Sequence, residues 1–474
     1  MKNFGGNIIF NPVSIYAPQT ENEVLDILNK HNNNKIRVIG SLHAWSEVAV
    51  SDDVLIDLKY INGISIEKDR NGNSWAIAGG GCVLEKLTGY LNKAGLTMPA
   101  LGAIQRQTVA GAISTGTHGS GNQSISHHMN EIRIAAYDPV SGAAKIYEFK
   151  EGEDLRAARC SVGCMGVILS VKFKCPKDYW IEEKTSIFKN ISDVLNGGKE
   201  YPLQQFGLIP FRWEYFAYQR RVTNNIPKGL DAVKMSFLKL VDYFATEILT
   251  HFIIKNLANF SNGGVNGEWI KWFYKDFIVS FINQRTVAYK SIRTLTLHTS
   301  HHNAFQHLEI EIFIPKIHVV KAAEVIRWVT TVFSGERHIP EEIISEVKRT
   351  GMFNKLMEYK GSYTQHYPLF FRRVFADDTL ISMASGNQTY YAVGFFTYLH
   401  PDARERFYNF AAFMAELLEK LFDARLHWGK YFPLANKNIE HLYPKLSVFR
   451  QICDKVDPKG VFQNEFTKKV LGFK

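Results

Sequence analysis

Apolar positions in the first third of the chain switch repeatedly between two periods. Glu21 to Lys30 and Val83 to Lys93 gather their apolar side chains on one helical face, whereas Arg37-Val38-Ile39 and Val54-Leu55-Ile56-Asp57 are short runs of strand type. Strands then dominate. Glu131 to Tyr137 alternates with period two, Asp138-Pro139-Val140-Ser141-Gly142 forms a turn, and Lys145 to Phe149 returns as the hairpin partner. Cys164 to Phe173 contains a further strand, and Cys175-Pro176-Lys177-Asp178 breaks the pattern, which predicts a domain boundary near residue 176.

The remainder is more aromatic, with crowding over Phe206 to Tyr218 and Trp269 to Phe281. Strands are expected at Leu308 to Ile314, Leu369 to Phe375 and Tyr390 to Tyr398, and helices at His318 to Phe333 and Asp402 to Phe422. Without strict alternation this mixture reads as α+β. Between Met235 and Ile254, Phe237, Leu240, Val241, Phe244, Ile248 and Phe252 recur at helical spacing. Lys239, Asp242, Glu247 and His251 interrupt the segment, which excludes a simple membrane span of about 20 apolar residues. A core or lid helix is the favoured reading, and an interfacial membrane helix the alternative.

A chain of 474 residues has room for two or more domains with sizeable cores. The net charge of +10 is spread along the sequence and forms no Lys/Arg block, so a nucleic-acid partner is not expected. Diffuse positive charge instead suits anionic ligands or peripheral membrane contact. Cys82, Cys160, Cys164, Cys175 and Cys453 have no C-x-x-C spacing, so reduced buried thiols are expected. The N-terminal residues carry no apolar signal-peptide core, which reads as intracellular, either cytoplasmic or peripherally membrane-associated.

The candidate chemistry lies in small-residue loops. Gln107 to Gly121, with the turn Thr115-Gly116-Thr117-His118-Gly119, lets main-chain amides approach a large ligand. Neither this stretch nor Gly79-Gly80-Gly81 has G-x-G-x-x-G spacing, which disfavours a doubly wound nucleotide site. His298, His301, His302, His307, Glu309 and Glu311 are a dense group of potential zinc ligands, but crowding alone fixes no ligand geometry, and no metal is expected.

Four segments together resemble the aldonolactone and alditol oxidases of the vanillyl-alcohol oxidase flavoprotein superfamily, a group that includes L-gulonolactone oxidase and D-arabinono-1,4-lactone oxidase. They are Val38-Ile39-Gly40-Ser41-Leu42-His43-Ala44-Trp45-Ser46; Pro99 to Gly111 running into the TGTHG turn; Ser161-Val162-Gly163-Cys164-Met165-Gly166-Val167-Ile168; and the tail with His427-Trp428-Gly429-Lys430, Leu442-Tyr443-Pro444 and Asp457 to Asn464. The resemblance implies an FAD-binding (PCMH-type) domain over 1–176, an α+β cap or substrate domain over 177–426, and a C-terminal segment over 427–474 that returns to complete the flavin site.

The same resemblance implies FAD, covalently attached through His43. It assigns cofactor contacts to Ile39, Gly40, Ser41, Leu42, His43 and Ala44; to Gln107, Thr108, Gly111, Ala112, Ser114, Thr115, Gly116, Thr117, His118 and Gly119; to Gly163, Gly166, Val167 and Ile168; and to Lys430. The family strand with E-x-R before A-D-D corresponds to Phe370-Phe371-Arg372 before Ala376-Asp377-Asp378, so Arg372 is kept and Phe370 stands in place of the glutamate. Glu311 lies in a segment similar to the family's M-E-W-x-I-P strand.

Alcohol oxidation through a flavin needs a hydride acceptor, a proton acceptor and positive charge beside the reduced ring. Lys430, Arg372 and Glu311 are the candidate catalytic residues. The expected substrate is an aldono-1,4-lactone, with an alditol as the nearest competitor and oxygen or another molecule accepting the electrons. A reductase of a hydrophobic substrate and a flavin-binding protein with degraded catalysis are the rival readings.

Overall fold

The computed structural model describes residues 1–242, 244, 248–260, 267–282, 284–294, 306–336 and 338–473. Two compact units share the chain: one comprises Met1–Asp178, Phe375–Gln388 and His427–Lys474, the other Tyr179–Val374 and Thr389–Leu426.

The first unit contains a three-stranded parallel sheet and a five-stranded antiparallel one. Val54–Asp57 is central in the former, between Ser14–Tyr16 and Ile36–Ile39. The latter runs Ile64–Lys68, Ser74–Gly79, Val167–Cys175, Met129–Tyr137, Ala144–Phe149. The helix Glu21–Lys30 starts where the Thr20 side chain accepts from the Glu23 N–H at 3.2 Å, and it buries Val24 and Leu28. The Tyr137 hydroxyl donates to the Leu28 carbonyl at 2.9 Å, which fixes that helix to the five-stranded sheet.

Residues 427–474 belong to this unit, and hydrogen bonds tie them to its N-terminal segments. Ile36 N–H donates to the Val461 carbonyl at 2.9 Å, and the Asn464 amide donates to the carbonyls of Glu47 and Val50. Arg37 is the central fastener. Its buried guanidinium donates to the carbonyls of Val48, Val162 at 2.8 Å, Gly163 at 3.1 Å and Phe462, and burial lowers its pKa from the ordinary arginine value. Asp457 accepts from Val461 and Phe462 N–H groups at 2.8 Å each, while burial pushes its carboxyl up to about 6.

The excursion Phe375–Gln388 is not anticipated by a single boundary at 176. It joins the first unit through the two aspartates of its A-D-D sequence. Asp377 accepts from Ser124, Thr379 and Ser382. Asp378 accepts from His127 at 3.0 Å and Arg159 at 2.6 Å, and these two partners hold its carboxyl down to about 2. All five cysteines are free and buried. Burial raises the thiols of Cys164 and Cys175 to about 11 and those of Cys160 and Cys453 well above the ordinary range.

The second unit is built on an eight-stranded antiparallel sheet in the order Thr286–Lys290, Trp180–Phe188, Tyr215–Thr223, Gln205–Leu208, Leu369–Val374, Tyr390–Thr397, Leu308–Pro315, Arg425–Leu426. Helices Val319–Phe333 and Glu405–Phe422 bury nearly continuous apolar faces. The segment read as a core or lid helix is not buried as a core helix would be. In Gly229–Asp242, Met235 and Leu238 pack toward Ile181, Val287 and Tyr289, while Phe237, Leu240 and Val241 of the apolar stripe are exposed. Phe244 and Phe252 are exposed too. Helical spacing identifies an apolar face but not the side turned inward. Among the described residues, no helix is long and apolar enough to cross a membrane.

Arg37→Met removes every guanidinium donor and leaves four carbonyls to find new partners, so it is expected to cost about 3–5 kcal/mol of stability. Equilibrium denaturation of the variant against the parent measures this directly.

Candidate functional site

A cleft of about 950 Å³, counted to its open mouth, lies within the first unit. Three loops and the C-terminal return form its walls. The first follows strand Ile36–Ile39 and comprises Gly40 to Trp45. Leu42 takes a left-handed conformation at φ 53°, and the main-chain N–H groups of Ser41, Leu42 and Ala44 have no acceptor within the described residues. Successive unspent amides around a left-handed residue suit an anion. The loop is braced from behind: Phe4 N–H donates to the Leu42 carbonyl at 2.9 Å, Asn3 to Ala44 at 2.8 Å, and the Phe4 ring lies 4.9 Å from the His43 ring.

The second wall is Gln107, Thr108, Ala110, Gly111, Ser114 and Thr115. Thr108 caps the helix Val109–Ser114 by accepting from Gly111 N–H at 3.3 Å. The two loops meet at Gly40, where a Cβ would fall 2.1 Å from Thr108 Oγ1. Gly80 adds a similarly tight contact, since a Cβ there would lie 2.0 Å from the Ile168 carbonyl oxygen. Val162, Gly163, Gly166 and Ile168 make the third wall, above Arg37.

His427, Gly429 and Lys430 complete the cleft. The return is held in register by Trp45 N–H donating to Gly429 at 2.9 Å and by Ser46 donating to Trp428 at 2.5 Å. Lys430 places its ammonium 4.4 Å from the centre of the Trp45 ring, a cation–π contact that positions it in the wall. His427 Nδ1 accepts from Gly429 N–H at 3.0 Å. Arg37 and Lys430 are the strong charges of the wall, and no carboxylate lines it among the described residues. Cationic side chains and spare amides therefore fit a dinucleotide flavin with its diphosphate.

Of the expected cofactor residues, Ile39 to Ala44, Gln107, Thr108, Gly111, Ser114, Thr115, Gly163, Gly166, Ile168 and Lys430 line the cleft. Ala112, Gly116, Thr117, His118, Gly119 and Val167 lie off its wall. The TGTHG turn spends itself inward: Gly116 has φ 75° and closes the helix, Thr117 N–H donates to the Ala112 carbonyl at 2.9 Å, and buried His118 donates through Nδ1 to Gly119 at 2.9 Å. Ala112 and Val167 have fully buried side chains. Arg37, Trp45, Val48, Gly80, Val162 and Gly429 line the cleft without having been expected there, and His427 lines it as a residue that shapes the pocket. Trp45 and His427 sit within the quoted motifs and were within reach of sequence reasoning. Arg37, a charged residue in an apolar strand run, carries a signal only once its burial is known.

Glu311 and Arg372 belong to the second unit. Arg372 donates from Nη1 to Glu311 Oε1 at 3.0 Å, with their side chains 14% and 2% exposed. The arginine expected as a supplier of positive charge is therefore paired with a buried carboxylate. Phe370 joins an aromatic cluster two residues away. Glu309 and Glu311 share a buried strand, while His298, His301 and His302 lie outside the described residues.

The family model described as D-arabinono-1,4-lactone oxidase matches residues 210–470, and that described as FAD binding domain matches residues 12–136. The chain belongs to the D-arabinono-1,4-lactone oxidase family. A long-chain alcohol oxidase from an uncultured marine euryarchaeote is 38% identical over 99% of this chain and 96% of that protein. The L-gulonolactone oxidase of Mus musculus is 25% identical over 97% and 96%. Among solved structures, a solvent-stable cholesterol oxidase superposes with a TM-score of 0.74 at 16% identity, covering 100% of this chain and 97% of that one. The fold is that of the vanillyl-alcohol oxidase flavoproteins, and this D-arabinono-1,4-lactone oxidase family member is an FAD-linked enzyme acting on CH–OH groups.

Gly40→Ala forces Thr108 away from the first loop, and overpacking of this kind costs about 1–3 kcal/mol. The variant is expected to retain less FAD through gel filtration and to bind added FAD about tenfold or more weakly. Fluorescence titration of the apoprotein reads the difference.

Proposed function

We propose that the protein oxidises the hydroxyl-bearing carbon of an alcohol whose body is apolar. The observation that carries this reading is the second-unit strand Leu369–Val374. It offers Phe370 where the resembled oxidases carry a glutamate, and its Arg372 is already bonded to Glu311. A substrate rich in hydroxyls gains no acceptor from a phenyl ring and loses its bonds to water beside one. The 38% identity to a long-chain alcohol oxidase supports the same substrate class. The aldono-1,4-lactone remains the second reading, favoured by the family model that matches residues 210–470.

When bound, FAD supplies the two-electron acceptor. The substrate's C–H bond breaks with its electron pair, its O–H bond releases a proton, and a C=O bond forms. We assign the proton to Glu311, whose carboxylate Arg372 orients, and the role of holding positive charge at the cleft wall to Lys430. Oxygen or another acceptor takes the electrons onward. His43, on the braced first loop, is the residue proposed to bind the flavin covalently.

Anaerobic titration tests the substrate reading: 1-alkanols are expected to bleach the yellow holoenzyme, and the second reading replaces it if only aldonolactones do so. Lys430→Met is expected to lower the bleaching rate per bound flavin about 100-fold. Acid precipitation checks the linkage. Colour should stay with the parent polypeptide and pass to the supernatant in His43→Ala; colour in the parent's supernatant refutes the covalent bond.

A further inference from the structure

Resting on the role proposed for Lys430, we infer that Trp45 is its positioning residue: the indole holds the Lys430 ammonium at the cleft wall, and the reduction potential of the flavin bound there depends on that ring. The ammonium lies 4.4 Å from the ring centre. Both side chains line the cleft, one from the first loop and the other from the C-terminal return.

Main chain and side chain bring the two residues together by separate means. Trp45 N–H donates to the Gly429 carbonyl at 2.9 Å, which docks the peptide unit preceding Lys430 on the main chain of Trp45. Lys430 N–H donates to the His427 carbonyl at 3.0 Å, so a tight turn fixes the base of its side chain. Trp45 is also anchored from the N-terminal segment. Its carbonyl accepts from the Asn7 amide at 2.9 Å, and the Phe4 ring meets the indole edge-on at 6.1 Å. The indole is 2% exposed, and a Cβ at Gly5 would fall 2.3 Å from its Cδ1, so the ring fills room that exists because residue 5 has no side chain. Such confinement holds the ring in one orientation.

An aromatic partner has an electrostatic consequence. A carboxylate beside Lys430 would neutralise it, whereas the negative face of an indole attracts the ammonium and leaves its full charge acting across the cleft. A lysine without such a hold swings on a flexible four-carbon stem, and water screens its charge. Positive charge fixed at the cleft wall before electrons arrive favours the reduced, more negative state of the cofactor, which is what electrostatic preorganisation requires.

The test compares holoenzymes of the parent, Trp45→Phe, Trp45→Leu, Lys430→Met and the double variant of Trp45→Leu with Lys430→Met. Spectroelectrochemical titration gives the midpoint potential, and sulfite is the second probe, since it adds its lone pair to a flavin ring and leaves negative charge there. Trp45→Leu is expected to weaken sulfite binding about tenfold and to lower the two-electron midpoint by about 30 mV, the same factor in the reduction equilibrium. Trp45→Phe keeps a ring face and should recover most of both effects. In the Lys430→Met background, Trp45→Leu should change neither quantity. Tetrafluorotryptophan installed at position 45 alone keeps the shape of the side chain nearly intact, so it tests the same point where the leucine variant does not fold. Its electron-poor ring should weaken sulfite binding with Lys430 present and leave it unchanged in Lys430→Met. The inference is overturned if Lys430→Met weakens sulfite binding while the changes at position 45 do not, or if their effects persist undiminished without Lys430, the mark of a ring that only fills space. If Lys430→Met itself alters neither quantity, the role assigned to Lys430 falls and the inference falls with it.

Discussion

The cleft depends on one buried cation. Arg37, on strand Ile36–Ile39, lies where the turn at Val48, the 162–163 turn and the C-terminal return converge, and it donates to carbonyls of all three. A carboxylate partner would neutralise this charge, but carbonyl oxygens stabilise it and leave the surroundings positive. The arrangement therefore serves two ends: it fastens sequence-distant segments, and it contributes a positive field to the wall of a site for a polyanionic cofactor. The spare amides of Ser41, Leu42 and Ala44 act in the same sense.

The second unit treats charge differently. Its arginine at 372 is closely matched by Glu311, and the position two residues before it on the same face of the strand is phenyl. Exchanging a carboxylate for Phe370 alters both polarity and charge balance. The guanidinium then has Glu311 as its bonded acidic partner, and the sheet face gains an aromatic link between Phe216 and Tyr367. The Glu311–Arg372 pair and the aromatic link thus meet on one strand, two residues apart.

Local rules made much of the first unit legible. Helix Glu21–Lys30 could be read with both ends because Thr20 caps it and Val24 and Leu28 mark its inner face; strand Val54–Asp57 was a short apolar run with clear limits. The return of residues after 427 was legible through family resemblance, because its fastening by Arg37 and Asn464 spans more than four hundred residues. The Phe375–Gln388 excursion had no compositional signal, since hydrogen bonds to two aspartates hold it. For the stripe through Phe237 and Leu240, periodicity measured amphipathicity without saying which side is covered. In the TGTHG turn, the amides of Thr115, Gly116 and Thr117 are used to end a helix.

The burial of all five thiols bears on durability. An oxidase that hands its electrons to oxygen releases hydrogen peroxide, which attacks sulfur as the thiolate and reaches it by diffusion. Here Cys82, Cys160, Cys164, Cys175 and Cys453 are shielded, and burial keeps each of them protonated well into the alkaline range. The polypeptide is thereby shielded at cysteine against peroxide, without a disulfide.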